Sequence, residues 1–337
     1  MRQRVWIAGS LLVIAILCII GWEKGLKPRS EKKISESSKV FPGFEPKLVK
    51  KIELARGSKK DILSARDSNW VVESEAGYQA DAEGITKALE SVKKLSCGTE
   101  VASGQEQFGR FDLDKENALE VKLYGEKNKL LADFYIGKRG ATYSSSYFRK
   151  EGDDRICLAY ENLITIFDRT NDTWRDKNIL NFSAADCKTL KIADGETVIW
   201  LDKNLQENKW EMLEAQNKKP AASWAVDGIC QTLSKLKTQG FPMVSPAQAG
   251  LEKTTKKITV SLVGGNQYTL LVGVEAKDTH NYYVKREDQP NIFELSSWQI
   301  NSLFKKKDEL LEKTIEETEP KDKTPTPPAV KNAPGEK

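Results

Sequence analysis

Few residues of this sequence have the types and spacing that catalysis requires. A Ser/His/Asp site would need His280, the only histidine of the chain, but His280 falls in a predicted hairpin turn and no G-x-S-x-G motif is present. The glycines of 137–140 and 264–265 lack the spacing of a phosphate-binding loop and indicate hairpin turns. Asp153-Asp154 lies in a polar turn, which favours solvated loop charges over catalytic carboxylates. The sequence therefore predicts no catalytic, cofactor-binding or metal-ligating residue.

The cysteines do not form a metal-binding pattern either. None are spaced as C-x-x-C, and a single histidine leaves no zinc-type arrangement. One of the five, Cys18, lies in an apolar N-terminal run. The others could form two disulfides in an oxidising compartment, but their scattered spacing favours small, buried free thiols. These four are Cys97, Cys157, Cys187 and Cys230.

Composition indicates a globular protein of about two domains. The chain has 337 residues, of which 39% are hydrophobic and 30% charged, and a domain commonly takes about 100 to 200 residues. The net charge of +4 is a small excess of 53 basic over 49 acidic residues. A nucleic-acid-binding protein usually carries a strongly basic face, so we expect no nucleic acid among the partners.

The N-terminus predicts a single membrane-spanning helix. After a short basic start at 1–4, residues 5–22 (Val5 to Trp22) carry no charge. At about 1.5 Å per residue this run nearly spans a hydrocarbon core of roughly 30 Å. The run ends Ile19-Ile20-Gly21-Trp22-Glu23, which is a poor cleavage site because small residues are expected at both −3 and −1 of a signal peptide, so we expect an uncleaved anchor. Residues 23–45 are polar and predict a tether.

Two rules conflict on the orientation of this anchor. The five basic residues after it favour a cytoplasmic location for the large domain. They are Lys24, Lys27, Arg29, Lys32 and Lys33. A short basic start before an apolar run has the form of an export signal, and large domains translocate largely regardless of charge. We therefore expect an inner-membrane protein whose large domain lies outside the cytoplasm.

The folded part is predicted to hold two copies of one α+β module. The first copy, 46–173, contains alternating strand patterns, and Asp81 is a candidate cap for an amphipathic helix that continues to about Leu95. The second copy, 183–312, repeats these features in the same order at an offset of about 136 to 144 residues, with Ile229, Leu233 and Leu236 of its helix matching Ile85, Leu89 and Val92. Each copy predicts a mostly antiparallel sheet, a covering helix and a short closing helix. Residues 174–182 form the joint, and 313–337 predict a disordered tail.

Ordered motifs in both copies resemble the domain of unknown function family numbered 4340. The first copy has Trp70, the helix Ile85 to Leu95, and Phe111-Asp112-Leu113-Asp114, then Tyr135-Ile136-Gly137. The second copy has Trp210, Ala249-Gly250-Leu251 and Val272-Gly273, and the joint 174–182 is similar to the family's Arg-Asp-Lys segment. The resemblance covers about Lys47 to Leu311. It implies a membrane-anchored bacterial envelope protein, similar to auxiliary components of gliding-motility-type ABC transporters, and it implies no catalytic residues.

These observations predict a non-enzymatic, single-pass envelope protein that acts as an accessory or scaffold subunit, with the membrane and an envelope or transporter protein as partners. The alternative is a membrane-tethered enzyme that acts on glycan or lipid through paired carboxylates with shifted pKa values. A third hypothesis is a sensor that binds a small ligand between the modules.

Overall fold

The computed structural model describes residues 39–67, 69–73, 77–214 and 217–312. The chain divides into two compact units, Met1–Asp176 and Lys177–Lys337. The predicted basic start, anchor and tail, with most of the predicted tether, lie outside the described residues. Within those residues, no helix combines the length and apolar character that a membrane crossing needs.

The first unit is built on an eight-stranded antiparallel sheet. In space the strands follow the order β3-β2-β1-β5-β6-β7-β8-β4. In chain order they are β1 (Lys51–Arg56), β2 (Lys59–Arg66), β3 (Asn69–Val72), β4 (Thr99–Ser103), β5 (Leu119–Tyr124), β6 (Leu130–Arg139), β7 (Ser146–Lys150) and β8 (Arg155–Ala159).

Helices cover one face of this sheet. They are α1 (Ala82–Lys94), α2 (Leu163–Phe167) and α3 (Asn171–Trp174). The first unit also contains three 3-10 turns, at Pro46–Leu48, Gln105–Phe111 and Glu126–Asn128. Helix α1 buries Ile85, Leu89 and Val92, and their three- and four-residue spacing places them on one side. They pack into a core with the alternate residues of β5, whose Val121 and Leu123 are fully buried.

The second unit repeats the plan with a sheet in the order β12-β11-β10-β9-β13-β14-β15-β16. These strands are β9 (Cys187–Asp194), β10 (Thr197–Asn204), β11 (Lys209–Glu214), β12 (Asn217–Pro220), β13 (Lys257–Leu262), β14 (Gln267–Glu275), β15 (Tyr282–Arg286) and β16 (Ile292–Leu295). Its helices are α4 (Ser223–Ser234), α5 (Ser297–Leu303) and α6 (Lys307–Leu310), and a 3-10 turn at Ala184–Asp186 precedes β9.

Seven strands are common to the two sheets. The run β3-β2-β1-β5-β6-β7-β8 corresponds, strand for strand, to β11-β10-β9-β13-β14-β15-β16. The eighth strand differs, since β4 lies beside β8 in the first unit whereas β12 lies beside β11 in the second. Each copy has an isolated bridge at the edge where the other copy has its eighth strand. The bridge joins Val71 to Gln79 in the first copy and Gly240 to Glu294 in the second, so it is a shorter form of the same edge pairing. The predicted duplication of an α+β module is confirmed.

The first unit begins earlier than the sequence predicted. Residues 23–45 were expected to form a tether, but Phe41 and Phe44 are each only 7% exposed and belong to the first core. The ring of Phe41 lies 5.8 Å from that of Phe134, and the Val40 amide donates to Leu95 O at 2.9 Å. The apolar area of the two phenylalanines draws 39–45 onto the module despite the polar residues before them.

The predicted joint 174–182 is divided between the units. Trp174 is fully buried in the first core, and the Asp176 amide donates to Gln79 O. From Lys177 onward the segment bonds to the second unit, where the amides of Ile179 and Leu180 both donate to Leu236 O. Backbone bonds therefore hold each half of the joint to its own module.

The structure aligns the covering helices α1 and α4 with a shift of one helical turn relative to the alignment that the sequence predicted. The spacing of apolar residues placed Ile229 opposite Ile85. The backbone instead aligns the helix starts, because Asp81 N donates to Trp174 O and Ala222 N donates to Leu310 O. This register sets Val226, Cys230, Leu233 and Leu236 opposite Ile85, Leu89, Val92 and Leu95. A slip of one turn preserves the apolar side of a helix, so periodicity could not distinguish the two alignments.

A glycine in β6 and its counterpart in β14 lie directly beneath a loop. A Cβ added to Gly137 would clash with the carbonyl oxygen of Phe111, and one added to Gly273 would clash with that of Ala249. The Val274 amide donates to that same Ala249 oxygen at 3.0 Å. The interpretation of Gly137 as a hairpin glycine is therefore wrong, because it lies inside a strand where another backbone makes close contact.

The loop above each glycine turns through a left-handed residue. In the second copy this residue is Gly250, with φ of 67°, and in the first copy it is Asp112, with φ of 55°. Aspartate tolerates this conformation better than most side chains, so the first copy makes the same turn without glycine. The residue that follows, Leu113 or Leu251, is buried in each copy.

We expect Gly273→Ala to destabilise the protein by about 2 to 3 kcal/mol, because the new methyl group must displace the Ala249 backbone. Gly264→Ala is the matched control, since its Cβ would meet no atom within 4 Å, and it should change stability by less than about 0.5 kcal/mol. Gly228→Ala, in open space on α4, should stabilise by up to about 1 kcal/mol. Urea unfolding measures all three, and equal effects of Gly273→Ala and Gly264→Ala would contradict the close approach.

Candidate functional site

The outer face of the first sheet, opposite α1, carries a network of charged and aromatic side chains. We call it the polar face cluster, and it consists of Glu53, Glu120, Lys122, Asp133, Tyr135 and Arg149. Strand β5 positions its centre, because Leu119, Val121 and Leu123 point into the core while Glu120 and Lys122 alternate with them onto the other face.

Strand pairing aligns the cluster in two rows across the sheet. In one row, Glu53 of β1 pairs with Lys122 of β5, which pairs with Asp133 of β6. In the other row, Glu120 pairs with Tyr135, which pairs with Arg149 of β7. Directly opposed residues in an antiparallel sheet have Cβ atoms about 4.5 to 5.5 Å apart, so each row brings opposite charges or a charge and a ring together.

Lys122 and Tyr135 meet at the carboxylate of Glu120. The Lys122 Nζ lies 2.7 Å from Glu120 Oε1, and the Tyr135 hydroxyl donates to the same oxygen at 2.6 Å. Lys122 also lies 3.9 Å from Asp133 Oδ2. One lysine thus stands between two carboxylates on neighbouring strands.

Arg149 ties a loop to this face. Its guanidinium lies 3.8 Å from the centre of the Tyr135 ring and 4.3 Å from that of Phe108, and the residue is only 5% exposed. Its Nε donates to Leu113 O at 3.2 Å and its Nη1 to Glu151 at 3.2 Å. Planar stacking together with several donors is what an arginine supplies and a lysine does not.

The cluster separates the pKa values of its carboxyl groups. Burial raises the pKa of Asp133 to about 6, with Glu120 and Glu151 adding to the rise and Lys122 opposing it. Its Oδ1 is buried without a hydrogen-bond partner among the described residues. Burial also acts on Glu120, but hydrogen bonds from Lys122 and Tyr135 outweigh it and lower the pKa of that group.

Carboxyl groups whose pKa values differ in this way can act as an acid and a base. A catalytic pair also needs a cleft that accepts a substrate. A cavity of about 740 Å³ lies in the second unit, lined by Trp210, Trp224, Glu309 and Leu311 among others, and no residue of the cluster lines it. The geometry of the cluster itself is that of a cross-strand electrostatic network.

The second copy does not repeat the cluster. Strand register places Lys191, Lys257, Thr259, Thr269, Leu271 and Lys285 at the equivalent positions. Thr259 and Thr269 bond to each other through their hydroxyls at 3.0 Å, where the first copy has Lys122 and Asp133. The charged network is therefore a property of the first copy.

Residues singled out from the sequence are dispersed in the structure. His280 is in an exposed turn with φ of 55°, and its Nδ1 is 2.9 Å from Glu275 Oε1, as expected for a surface residue. Asp153 bonds to Arg155 in the turn between β7 and β8, and Asp154 accepts a bond from Gln105. Within the described ranges, no group of His, Cys, Asp and Glu is arranged to hold a metal ion.

The cysteines follow two patterns. Cys97, just after α1, forms a disulfide with Cys157 of β8, so the expectation of free thiols is wrong for this pair. Cys187 and Cys230 are free and buried, as expected. The spacing of 60 residues between Cys97 and Cys157 carries no pairing signal, because the sheet order alone brings them together.

The second copy uses hydrogen bonds where the first has its disulfide. Thr238 occupies the place of Cys97, since the next amide in each copy, that of Gly98 or Gln239, donates to the facing strand. The Thr238 hydroxyl bonds to Glu294 O at 3.0 Å and to Gly240 O at 2.6 Å. A buried, fully bonded hydroxyl thus closes the same corner of the module.

Sequence reasoning missed the polar face cluster. Its signal lies in Leu119-Glu120-Val121-Lys122-Leu123, whose polar residues all face one side once the segment is a strand. Which charged residues lie across from one another depends on how β5 pairs with β1 and β6. The alternation of polar and apolar residues along β5 does not specify that pairing.

The family model described as Domain of unknown function (DUF4340) matches residues 70–251 and 210–324. The two matches begin at Trp70 of β3 and Trp210 of β11, which are equivalent strands of the two units. No curated protein and no solved structure gives a significant match to the chain.

We expect Asp133→Asn to stabilise the protein at pH 7.5 by about 1 to 2 kcal/mol, since one pKa unit corresponds to about 1.4 kcal/mol and the side chain is 12% exposed. The pKa of Asp133 in the folded protein lies above its ordinary value of 3.8, so the folded state binds more protons than the unfolded state. The folded state therefore loses stability as the pH rises from about 4 through 6. The asparagine variant lacks that loss, and its advantage should vanish near pH 4.

Asp153→Asn is the control of opposite sign. A hydrogen bond from Arg155 lowers the pKa of Asp153, so this substitution should destabilise at pH 7.5, with the difference shrinking as the pH falls below about 4. Urea unfolding from about pH 3 to 7.5 measures both variants. A stability difference for Asp133→Asn that does not change with pH would contradict the raised pKa.

Proposed function

Since the chain belongs to the DUF4340 family, whose model matches residues 70–251 and 210–324, we propose that it is a non-enzymatic, single-pass, membrane-anchored envelope protein. Residues 5–22 anchor it in the inner membrane, and the two α+β units lie outside the cytoplasm. There it serves as an accessory or scaffold subunit for an envelope protein, of which an ABC-type or gliding-type transporter is the class that we favour.

The observation that carries this proposal is the disulfide between Cys97 and Cys157. Disulfides persist in oxidising compartments and are rare in the cytosol of mesophiles. The bond therefore favours the outside orientation in the conflict between the export-like start and the basic residues that follow the anchor. In the cytoplasm, the same two residues would be kept as free thiols.

An exposed apolar patch on β10 supports a docking role. Val198 and Trp200 are 54% and 47% exposed, and they lie two residues apart on the same side of the strand. The Lys191 ammonium lies 5.3 Å from the Trp200 ring centre. Aromatic side chains are enriched in protein interfaces, so this strand is the part of the second sheet that we assign to a protein partner.

The test is made in cells of the native organism. We expect acid-quenched cells, alkylated before lysis, to contain Cys97 and Cys157 as an oxidised pair, and in-cell crosslinking to yield a complex that survives detergent extraction. Trp200→Ala should lower the crosslinked fraction several-fold, whereas Leu205→Ala, at a residue 52% exposed in a turn, should leave it unchanged. Reduced Cys97 and Cys157 in quenched cells would overturn the outside location, and a protein recovered alone and monomeric would overturn the accessory role.

The second candidate is a membrane-tethered enzyme that acts on glycan or lipid through paired carboxylates. The separated pKa values of Glu120 and Asp133 are the observation that favours it. It predicts release of soluble product from purified envelope glycan or lipid, with losses of about a hundredfold or more for Glu120→Gln and for Asp133→Asn. Asp154→Asn should retain full activity. A full-length protein that releases no product from either material ends this alternative.

A further inference from the structure

Two buried thiols contact each other in the second unit. Cys187 is the first residue of β9 and Cys230 lies in α4. They are 0% and 1% exposed, and their thiols are hydrogen-bonded to each other. Neither thiol belongs to the polar face cluster or to the disulfide already described.

The fold brings these two positions together in both copies. Cys187 closes the 3-10 turn Ala184–Asp186, and Val49 closes the matching turn Pro46–Leu48. The helix register established above sets Cys230 opposite Leu89. Val49 and Leu89 both lie in the first core. The 3-10 turn before the first strand contacts the covering helix in each copy, and the second copy has a buried cysteine on each side of this contact.

The surroundings make the two thiols unequal. The hydrogen bond from Cys230 is the main cause that lowers the pKa of Cys187, with Lys203 assisting and burial, Asp227 and Asp186 opposing. Donation of that bond, together with burial, raises the pKa of Cys230. Lys203 is itself 10% exposed and lies 3.7 Å from Asp227. In the packed unit, Cys187 is thus the thiol of the pair that ionises first.

We propose that Cys187 and Cys230 are a disulfide-forming pair that joins β9 to α4 in the mature protein. The oxidant is a dithiol–disulfide exchange partner, either a small disulfide or a disulfide-bearing oxidoreductase. The thiolate of one cysteine attacks one sulfur of that disulfide and expels the other as a thiolate. The thiolate of the second cysteine then attacks the Sγ of the first and expels the remaining external sulfur. Two protein thiols are oxidised, one external disulfide is reduced to two thiols, and the protein's two protons pass to the expelled sulfurs.

The burial of the pair determines when the bond forms. An external disulfide cannot reach thiols that are 0% and 1% exposed, so oxidation takes place before α4 packs on the sheet. Once formed, the bond is shielded from reductants by the same burial. A bond of this kind is structural, because labile or catalytic disulfides are exposed.

The experiment maps disulfides in the full-length protein. Cells are quenched in acid, free thiols are blocked with N-ethylmaleimide under denaturing conditions, and the purified protein is digested without reduction for mass spectrometry. We expect a peptide pair linked through Cys187 and Cys230, beside the pair linked through Cys97 and Cys157. Molecules that carry N-ethylmaleimide on Cys187 and Cys230 while Cys97 and Cys157 are oxidised would overturn the proposal.

Variants taken from the first copy serve as matched controls. Cys187→Val introduces the residue type of Val49, which holds the matching position in the first copy, and Cys230→Leu does the same for Leu89. Both substitutions therefore preserve the packing. Each should abolish the linked peptide pair and leave the remaining cysteine fully alkylated. In a Cys97→Ser, Cys157→Ser protein, we expect the urea midpoint to fall when a reductant is added. No fall in that midpoint would show that the remaining thiols are not bonded and would overturn the proposal.

This inference rests on the proposed location outside the cytoplasm only for its source of oxidant, and the two can fail separately. If Cys97 and Cys157 are also reduced in quenched cells, the location is wrong. The pair is then tested by refolding the purified full-length protein in a mixture of oxidised and reduced glutathione. Formation of the Cys187–Cys230 bond there supports the pairing, and its absence beside a restored Cys97–Cys157 bond overturns it.

Discussion

Each copy of the module depends on the close passage of a loop backbone over a glycine near the end of a central strand. Gly137 and Gly273 leave room for the carbonyl groups of Phe111 and Ala249. Because the loop lies flat on the outer face, the leucine that follows its left-handed turn can be buried there. In the first copy the same loop accepts a hydrogen bond from Arg149 through Leu113 O. A side chain at the glycine would lift the loop and expose all of these groups.

On this shared frame, the two copies have diverged in what stabilises them. The first copy places charges and aromatic rings on its outer face and closes the corner after its helix with a disulfide. The second copy has Thr259 and Thr269 on that face, and Thr238 at that corner. Its own pair of cysteines lies where the first copy has aliphatic side chains. Both sets of contacts hold the same strands together, because sheet register is set by the alternation of buried residues and tolerates different chemistry on the outer face.

The comparison between the copies also shows how far a repeat can be aligned from sequence. Strands align well, because a shift of one residue would reverse which side chains are buried. The helices were misaligned by one turn, because apolar residues recur at nearly the same angular positions after three or four residues. The hydrogen bonds of Asp81 and Ala222 at the two helix starts resolved this. The correct alignment revealed that Cys230 replaces Leu89, which the sequence-based alignment had hidden.

Local patterns along the chain were enough to predict the α+β class of the fold, the duplication and the family. These follow from local periodicity and turn residues, which each segment carries independently of the others. Which side chains meet across strands became clear from the folded structure alone. The cluster around Lys122, the bond between Cys97 and Cys157, and the contact between Cys187 and Cys230 all join residues distant in the chain. Their meeting depends on the pairing of strands and the packing of helices, and no local pattern encodes those distances.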